Sequence, residues 1–225
     1  MVAIEPLPVL YSFRRCPFAM RARSALLAGG QRCELREVVL RDKPPELLAA
    51  SPKATVPVLV LDDGSVIAQS LEIMLWALRR NDPLRWLAPG DGTLEEMLAL
   101  VAACDGDFKR ELDRYKYPGR RAPEEVAAAG PDAPRDSASM FLRGLEERLR
   151  RTAFLFGETG SLADAAIAPF VRQFAGVDPA WFAAQPWPRL REWLGDWQAS
   201  EAFVTVMQRV PAWKAGDARV TFPAG

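Results

Sequence analysis

Two hydrophobic periods divide this chain. Through residue 80, short apolar runs alternate with amphipathic stretches; beyond it, nearly every strong signal recurs at helical spacing. The run PVLYSF (8–13) predicts a buried strand. Phe18, Ala22, Ala25, Leu26 and Gly29 then fall at i, i+4, i+7, i+8 and i+11, which predicts a helix over 17–29. Pro17 suits the first turn, where a missing N–H does no harm, and Gly29-Gly30 ends the helix. CELREVVL (33–40) predicts a second strand and PELLAA (45–50) a short helix. VPVLVL (56–61) and VIAQ (66–69) flank the hairpin signal DDG, and Ser70 is placed to cap a helix LEIMLWALRR. The order is β-α-β-α-β-β-α. Its strand-helix-strand start predicts a parallel pair and its hairpin adds antiparallel strands, so the sheet is small and mixed.

NDPLRWLAPGDG (81–92) is rich in Pro, Gly and Asp and reads as a linker, so the chain divides into residues 1–80, a linker over 81–92 and a helical domain over 93–225. In that domain Leu94, Met97, Leu98, Val101, Phe108, Leu112 and Tyr115 line one face of a long helix. Leu142, Leu145 and Leu149 line another, and Leu190, Trp193, Leu194 and Trp197 a third. The Pro/Gly/Ala-rich stretch 118–135 reads as a surface loop. In GSLADAAIAPF, Ser161 and Asp164 have the spacing of a short-armed capping box, and Pro169 is expected to kink the helix that follows.

Composition narrows the chemistry. With 225 residues, 49% of them hydrophobic, the chain is long enough for one or two real cores. Lys+Arg 29 balance Asp+Glu 29, so no global charge favours nucleic acid or an anionic membrane. The opening MVAIEPLPVLYSF lacks the basic segment and long apolar run of a secretory leader, and no apolar stretch is long enough to span a bilayer. Three widely spaced cysteines do not make a disulfide framework; a reducing, cytoplasmic setting is expected. The chain has no histidine, which removes the commonest general base and zinc ligand, and no metal site is expected.

The thiol of Cys16 then stands out in SFRRCPFAMRAR (12–23). It lies at the end of a strand and the mouth of a helix, where backbone N–H groups lack helical partners and the helix dipole is positive; Arg14, Arg15 and Arg21 are close in sequence. Such a setting lowers a thiol below its ordinary value of about 8.5 and makes it a nucleophile. Buried filler is the bland alternative, and it is the expected role of Cys33 and Cys104. CPFA has Ala19 where a CxxC motif has its resolving thiol, so turnover at Cys16 needs an external thiol. KATVPVLV (53–60) supplies a second stretch: Pro57 precedes a strand and, if cis, turns the Val56 backbone toward a peptide-like ligand, a plain strand-entry proline being the alternative. AQS (68–70) supplies a third, Gln69 and Ser70 at a helix N-terminus, which is an anion site or a simple cap.

CPFAMRAR, SPKATVPVLV, VIAQSLEIMLW and GSLADAAIAPF, in this order and spacing, resemble the cytosolic glutathione transferases, most of all the omega-like and related bacterial enzymes of the Cys type. The resemblance covers nearly the whole chain. It implies a thioredoxin-like N-terminal domain, an all-helical C-terminal domain and a homodimer. It makes Cys16 the thiol that forms a mixed disulfide with glutathione, the co-substrate. Val56 matches the residue whose backbone pairs with the cysteinyl unit, Pro57 the cis-proline, Gln69 and Ser70 the pair that holds the γ-glutamyl end, and Lys43 a basic residue reaching the glycyl carboxylate. Gln69 departs from the frequent Glu, which would pair with the ligand's ammonium; Asp105 of a partner subunit is a candidate substitute. The second substrate, a small electrophile or disulfide, would lie between the domains, with Phe108, Tyr115 and Tyr117 as its aromatic lining; a solvated basic face around an apolar stripe is the other reading of that segment.

Three functions follow from these residues. A single thiol without a resolving partner fits a glutathione-dependent thiol transferase or reductase. A conjugating transferase needs a donor to the glutathione sulfur; cysteine is a poor one, and Ser12 and Tyr11 fall within the strand. A fold kept as a binding module is the third.

Overall fold

The computed structural model describes residues 7–120 and 122–224. It sorts into two compact units, Met1–Leu84 with Ala199–Gly225, and Arg85–Gln198. The first contains β1 (Val9–Ser12), α1 (Pro17–Ala28), β2 (Cys33–Glu37), α2 (Pro45–Ala50), β3 (Val58–Val60), β4 (Val66–Ile67) and α3 (Ser70–Arg80), in the expected β-α-β-α-β-β-α order. β1 pairs in parallel with β2 through Leu10↔Leu35, and antiparallel with β3 through Leu10↔Leu59; β3 pairs antiparallel with β4. Side chains alternate across this pleat. Tyr11, Val38, Leu47, Val56 and Val58 therefore collect in one apolar cluster, with Cys16 packed at its margin. α1 and α3 pack together, close enough that a Cβ on Gly29 would lie 2.9 Å from the Asn81 carbonyl. That approach, rather than a turn, is what requires a glycine there.

The second unit is helical: α4 (Leu94–Ala103), α5 (Lys109–Lys116), α6 (Pro123–Ala129), α7 (Ala133–Leu149), α8 (Leu162–Ala175), α9 (Pro179–Ala183) and α10 (Pro188–Ala199). The long helix expected from Leu94 onward is interrupted by a π turn over Cys104–Phe108, where Gly106 leaves helical geometry at φ −87, ψ −105. The turn keeps Met97, Val101, Cys104, Phe108 and Leu112 on one buried face. The stretch 118–135 is not a plain loop. Pro123 at its first turn, Glu124 and Glu125 beside it and an alanine run build α6, which Gly130 ends at φ 85. α8 continues through Pro169, and its capping box forms at Ser161.

The chain's last segment departs from the expected 93–225 grouping. α11 (Glu201–Val206) packs on α1, and β5 (Thr221–Phe222) pairs antiparallel with β2, giving the sheet order β4-β3-β1-β2-β5. The fifth strand covers the edge that β2 would otherwise present. Two residues of strand, so far along the chain from their partner, leave no periodicity to read.

Candidate functional site

Cys16 is the N-cap of α1, with extended backbone (φ −74, ψ 123) and Pro17 as the first helical residue. Its own N–H donates to the Phe13 carbonyl at 2.9 Å, which turns the chain from β1 into the helix. The side chain is half-buried, and Sγ donates to the Val56 carbonyl at 3.6 Å. The Val56–Pro57 peptide is cis. Among the described residues, no main-chain bond outside the helices and strands engages the Val56 N–H. The structure thus brings Cys16, Val56 and Pro57 into one corner of the first unit.

The mouth of α3 supplies the next part. Gln69, not Ser70, is the N-cap, with extended backbone and no side-chain cap bond; Ser70 is the first helical residue. The serine hydroxyl is engaged elsewhere, accepting from Arg21 Nε at 2.9 Å. Arg21 is 1% exposed, with its guanidinium 4.9 Å from the Phe18 ring centroid. Its place in the sequence puts Arg21 among the cations near the thiol and does not disclose this bond. The available signal was an arginine within the apolar side of a buried helix. Gln69 is exposed, and Lys43 sits half-buried in the loop that leads into α2.

Behind the thiol lie two more arginines. Arg14 donates its N–H to Glu37 Oε1 at 2.7 Å. Burial raises the Glu37 carboxyl, against that bond and the charges of Arg23, Arg14 and Arg15. Arg23 bonds Ser12 Oγ. The Tyr11 hydroxyl accepts from Arg36 at 2.9 Å, and Arg36 in turn lies 4.1 Å from the Trp213 ring centroid. Burial raises the Tyr11 phenol, and Arg36 opposes it. Both hydroxyls of β1 are therefore held by guanidinium groups.

The other cysteines are packing residues. Cys33 and Cys104 are both 0% exposed, and burial pushes the Cys33 thiol up to about 12. No cluster of His, Cys, Asp or Glu able to hold a metal occurs among the described residues.

The three aromatics expected to line a pocket have different fates. Phe108 is 2% exposed, stacked on Phe141 at 4.8 Å and tilted against Phe174. Tyr115 joins the same cluster, 5.2 Å from Phe174. Tyr117 ends α5 at the surface, with Arg120 4.2 Å from its ring centroid. Phe108 thus serves the core of the helical unit, and Tyr117 stands apart from it. The interleaved cations meet acids close by: Lys109 pairs with Asp113, Arg110 with Asp107, and Arg114 with Glu111 and with Glu125 of α6.

Comparison with known proteins agrees with this arrangement. The family profile described as "Glutathione S-transferase, N-terminal domain" matches residues 10–86, and "Glutathione S-transferase, C-terminal domain" matches residues 134–196. The chain is 28% identical over 178 residues to glutathione S-transferase omega-1 of Rattus norvegicus, covering 75% of this chain and 68% of that protein. A glutathione transferase family member from Pseudomonas fluorescens pf-5, solved with two glutathione bound, superposes with a TM-score of 0.76 at 18% identity, over 89% of this chain and 92% of that one. A glutathione transferase from Methylococcus capsulatus str. Bath gives 0.72 at 25% identity, over 89% and 97%.

Proposed function

The chain belongs to the glutathione S-transferase superfamily, and within it we propose a glutathione-dependent thiol transferase or reductase that works through a mixed disulfide at Cys16. One observation carries this reading. Cys16 sits at the mouth of α1, 3.6 Å from the Val56 carbonyl beside a cis-proline, while Cys33 and Cys104 are buried and Ala19 stands at the resolving position.

In the proposed cycle the Cys16 thiolate attacks the glutathione sulfur of a mixed disulfide. The Cys16–glutathione bond forms, the old S–S bond breaks, and the substrate sulfur leaves as a thiolate that takes a proton from water. The thiolate of a second glutathione then attacks the bound glutathione sulfur. Oxidised glutathione departs and Cys16 returns as the thiolate. Val56 pairs with the cysteinyl unit through its backbone, with Pro57 setting its direction. Gln69 and Ser70 hold the γ-glutamyl end, and Lys43 meets the glycyl carboxylate. The second substrate is a small disulfide or glutathione adduct. The reading extends to a homodimer in the cytoplasm.

Conjugation of glutathione to an electrophile ranks lower for a specific reason. The two hydroxyls nearest Cys16 along the chain, Ser12 and Tyr11, lie within β1 and are 0% and 3% exposed, so neither is open to donate to a glutathione sulfur. The deciding experiment is reduction of a small glutathionyl disulfide, wild type beside Cys16→Ala. Activity lost with the thiol supports the reading. Equal activity in both proteins, or none in the wild type, sinks it.

A further inference from the structure

Arg23 is a cation where α1 has little reason to carry one. It is 1% exposed, among the largest fully buried side chains of the protein. All three of its nitrogens are used. Nε donates to the Val206 carbonyl of α11 at 3.0 Å, one terminal nitrogen donates to the Arg14 carbonyl at 2.7 Å, and the other donates to Ser12 Oγ. The acceptors come from three places: the C-terminal segment, the turn before Cys16, and the end of β1. The planar fork of a guanidinium suits such a three-way bond, and the single ammonium of lysine does not.

The ionisable groups facing Arg23 are Glu37 and Cys33 of β2, Arg14 of the turn, and Cys16 itself. Burial pulls the guanidinium down to about 10, while Glu37 and the Cys16 thiolate push it back up. At neutral pH it is therefore a buried cation. The turn it grips is short: Ser12 ends β1, Arg14 is bonded on both its carbonyl and its N–H, and Cys16 follows two residues later.

We propose that Arg23 is a positioning residue for the Cys16 thiol: it holds the Ser12–Arg14 turn in place and is itself anchored by the carbonyl of Val206 in the C-terminal segment. This rests on Cys16 being the nucleophile. It differs from the part played by Arg21, whose bond to Ser70 belongs to the ligand side. A purely structural Arg23 would stabilise the fold without touching the reactivity of the thiol.

The test is the rate of Cys16 alkylation by iodoacetamide, followed by peptide mass spectrometry across pH, in wild type, Arg23→Gln, Arg23→Lys and Ser12→Ala. Loss of a buried cation near a thiolate moves the Arg23→Gln midpoint up by about one pH unit and slows the neutral-pH reaction roughly tenfold. Arg23→Lys, which keeps the charge but not the three-way bond, recovers the midpoint only in part and still reacts about threefold more slowly than wild type. Ser12→Ala, which keeps the charge and loosens the turn, shows a smaller slowing of about threefold. Amide exchange in 12–16 and 201–207 rises together in Arg23→Gln. A folded Arg23→Gln with the wild-type profile overturns the proposal, and exchange that rises only in 12–16 removes the anchor at Val206. If Arg23→Gln does not fold, wild-type profiles in both Arg23→Lys and Ser12→Ala overturn it equally. A wild-type Cys16 that alkylates as slowly as an ordinary thiol overturns the nucleophile reading on its own, and this inference with it.

Discussion

The mouths of α1 and α8 meet the same problem in opposite ways. Each helix opens with backbone N–H groups that have no partner within the helix. At α8 the answer is internal. Asp164 Oδ2 accepts from the Ser161 N–H at 2.9 Å and its hydroxyl at 2.6 Å, and Oδ1 accepts from the Leu155 N–H and Trp193 Nε1. At α1 the N-cap is Cys16, which makes no side-chain cap bond, and at α3 Gln69 makes none either. The closed mouth serves stability. Helices α2, α6 and α7 also open without a side-chain cap bond, so an open mouth does not by itself mark a site; at α1 and α3 the proposed function assigns it to the thiol and to the γ-glutamyl end of glutathione. The Asp164 carboxylate, already holding four donors, is closed to a ligand, whereas a mouth without a side-chain cap keeps backbone N–H groups that a ligand can engage.

The sharpest break of this comparison is on the α1 side. Cys16→Ser should abolish thiol transfer while leaving glutathione binding largely intact, since the proposed function has the backbone of Val56 and the mouth of α3 hold the ligand. Turnover by the serine variant at a rate near wild type would refute the nucleophile role; titration of glutathione against both proteins checks the binding half. On the α8 side, Asp164→Ala leaves four donors without their acceptor and should destabilise the fold by about 3–5 kcal/mol in urea denaturation. Asp178→Ala removes the exposed cap on Trp181 N–H of α9 and should cost only about 1 kcal/mol. Similar losses in the two would mean that burial of the α8 cap contributes nothing.

pH gives a second handle on Asp164. Burial holds its carboxyl above the ordinary aspartate value, against four hydrogen bonds that lower it. The native state therefore takes up this proton at a higher pH than the unfolded chain does. Its contribution to stability is complete below the unfolded value and is lost as pH rises through the native one. The advantage of wild type over Asp164→Asn should be greatest at acid pH and narrow as pH rises. A gap that widens upward would reverse the sign.

What the sequence disclosed follows the range of the interactions. The order β-α-β-α-β-β-α, the hairpin at DDG, Cys16 as an N-cap and the Ser161–Asp164 box all rest on residues within a few positions of one another, and all are present. What it hid depends on distant partners. β5 meets β2 across most of the chain, and two strand residues carry no period. Arg21 reads from sequence only as a cation near the thiol and Arg23 carries no assignment there, because charge is normally exposed; their acceptors on α3 and α11 are what let them be buried. Phe108 fell on the apolar stripe, and spacing alone does not separate a core wall from a pocket wall.

The cysteines sharpen the contrast between a working and a packed thiol. Near pH 8 the native protein should take one iodoacetamide adduct, at Cys16, because Cys33 is pushed up to about 12 and both it and Cys104 are buried. Unfolded in denaturant, all three cysteines should react. Early labelling of Cys33 in the native state would contradict its burial. A more modest effect is expected at α3. Ser70→Ala removes the acceptor of Arg21 Nε and the hydroxyl assigned to the γ-glutamyl carboxylate, so KM for glutathione should rise roughly tenfold with kcat less affected. A fall in kcat alone would move Ser70 from binding to chemistry.

The smallest effect bears on the residue that departs from the family pattern. Gln69 is exposed at the mouth of α3. In the proposed function an amide there offers the glutathione ammonium a hydrogen bond but no charge. Gln69→Glu adds a carboxylate beside both the helix dipole and the ammonium, and at an exposed position this is worth about 0.3–1 kcal/mol, or roughly two- to fivefold in Kd. Isothermal titration with glutathione, repeated with an N-acetylated glutathione whose amine carries no charge, separates the two contributions. The gain should appear with the first ligand and vanish with the second. Equal gains would mean that the new carboxylate acts on the helix and not on the ligand. No gain with either would mean that the ammonium already has an acid, and a carboxylate contributed by a second subunit, with Asp105 the first to replace, becomes the explanation to test.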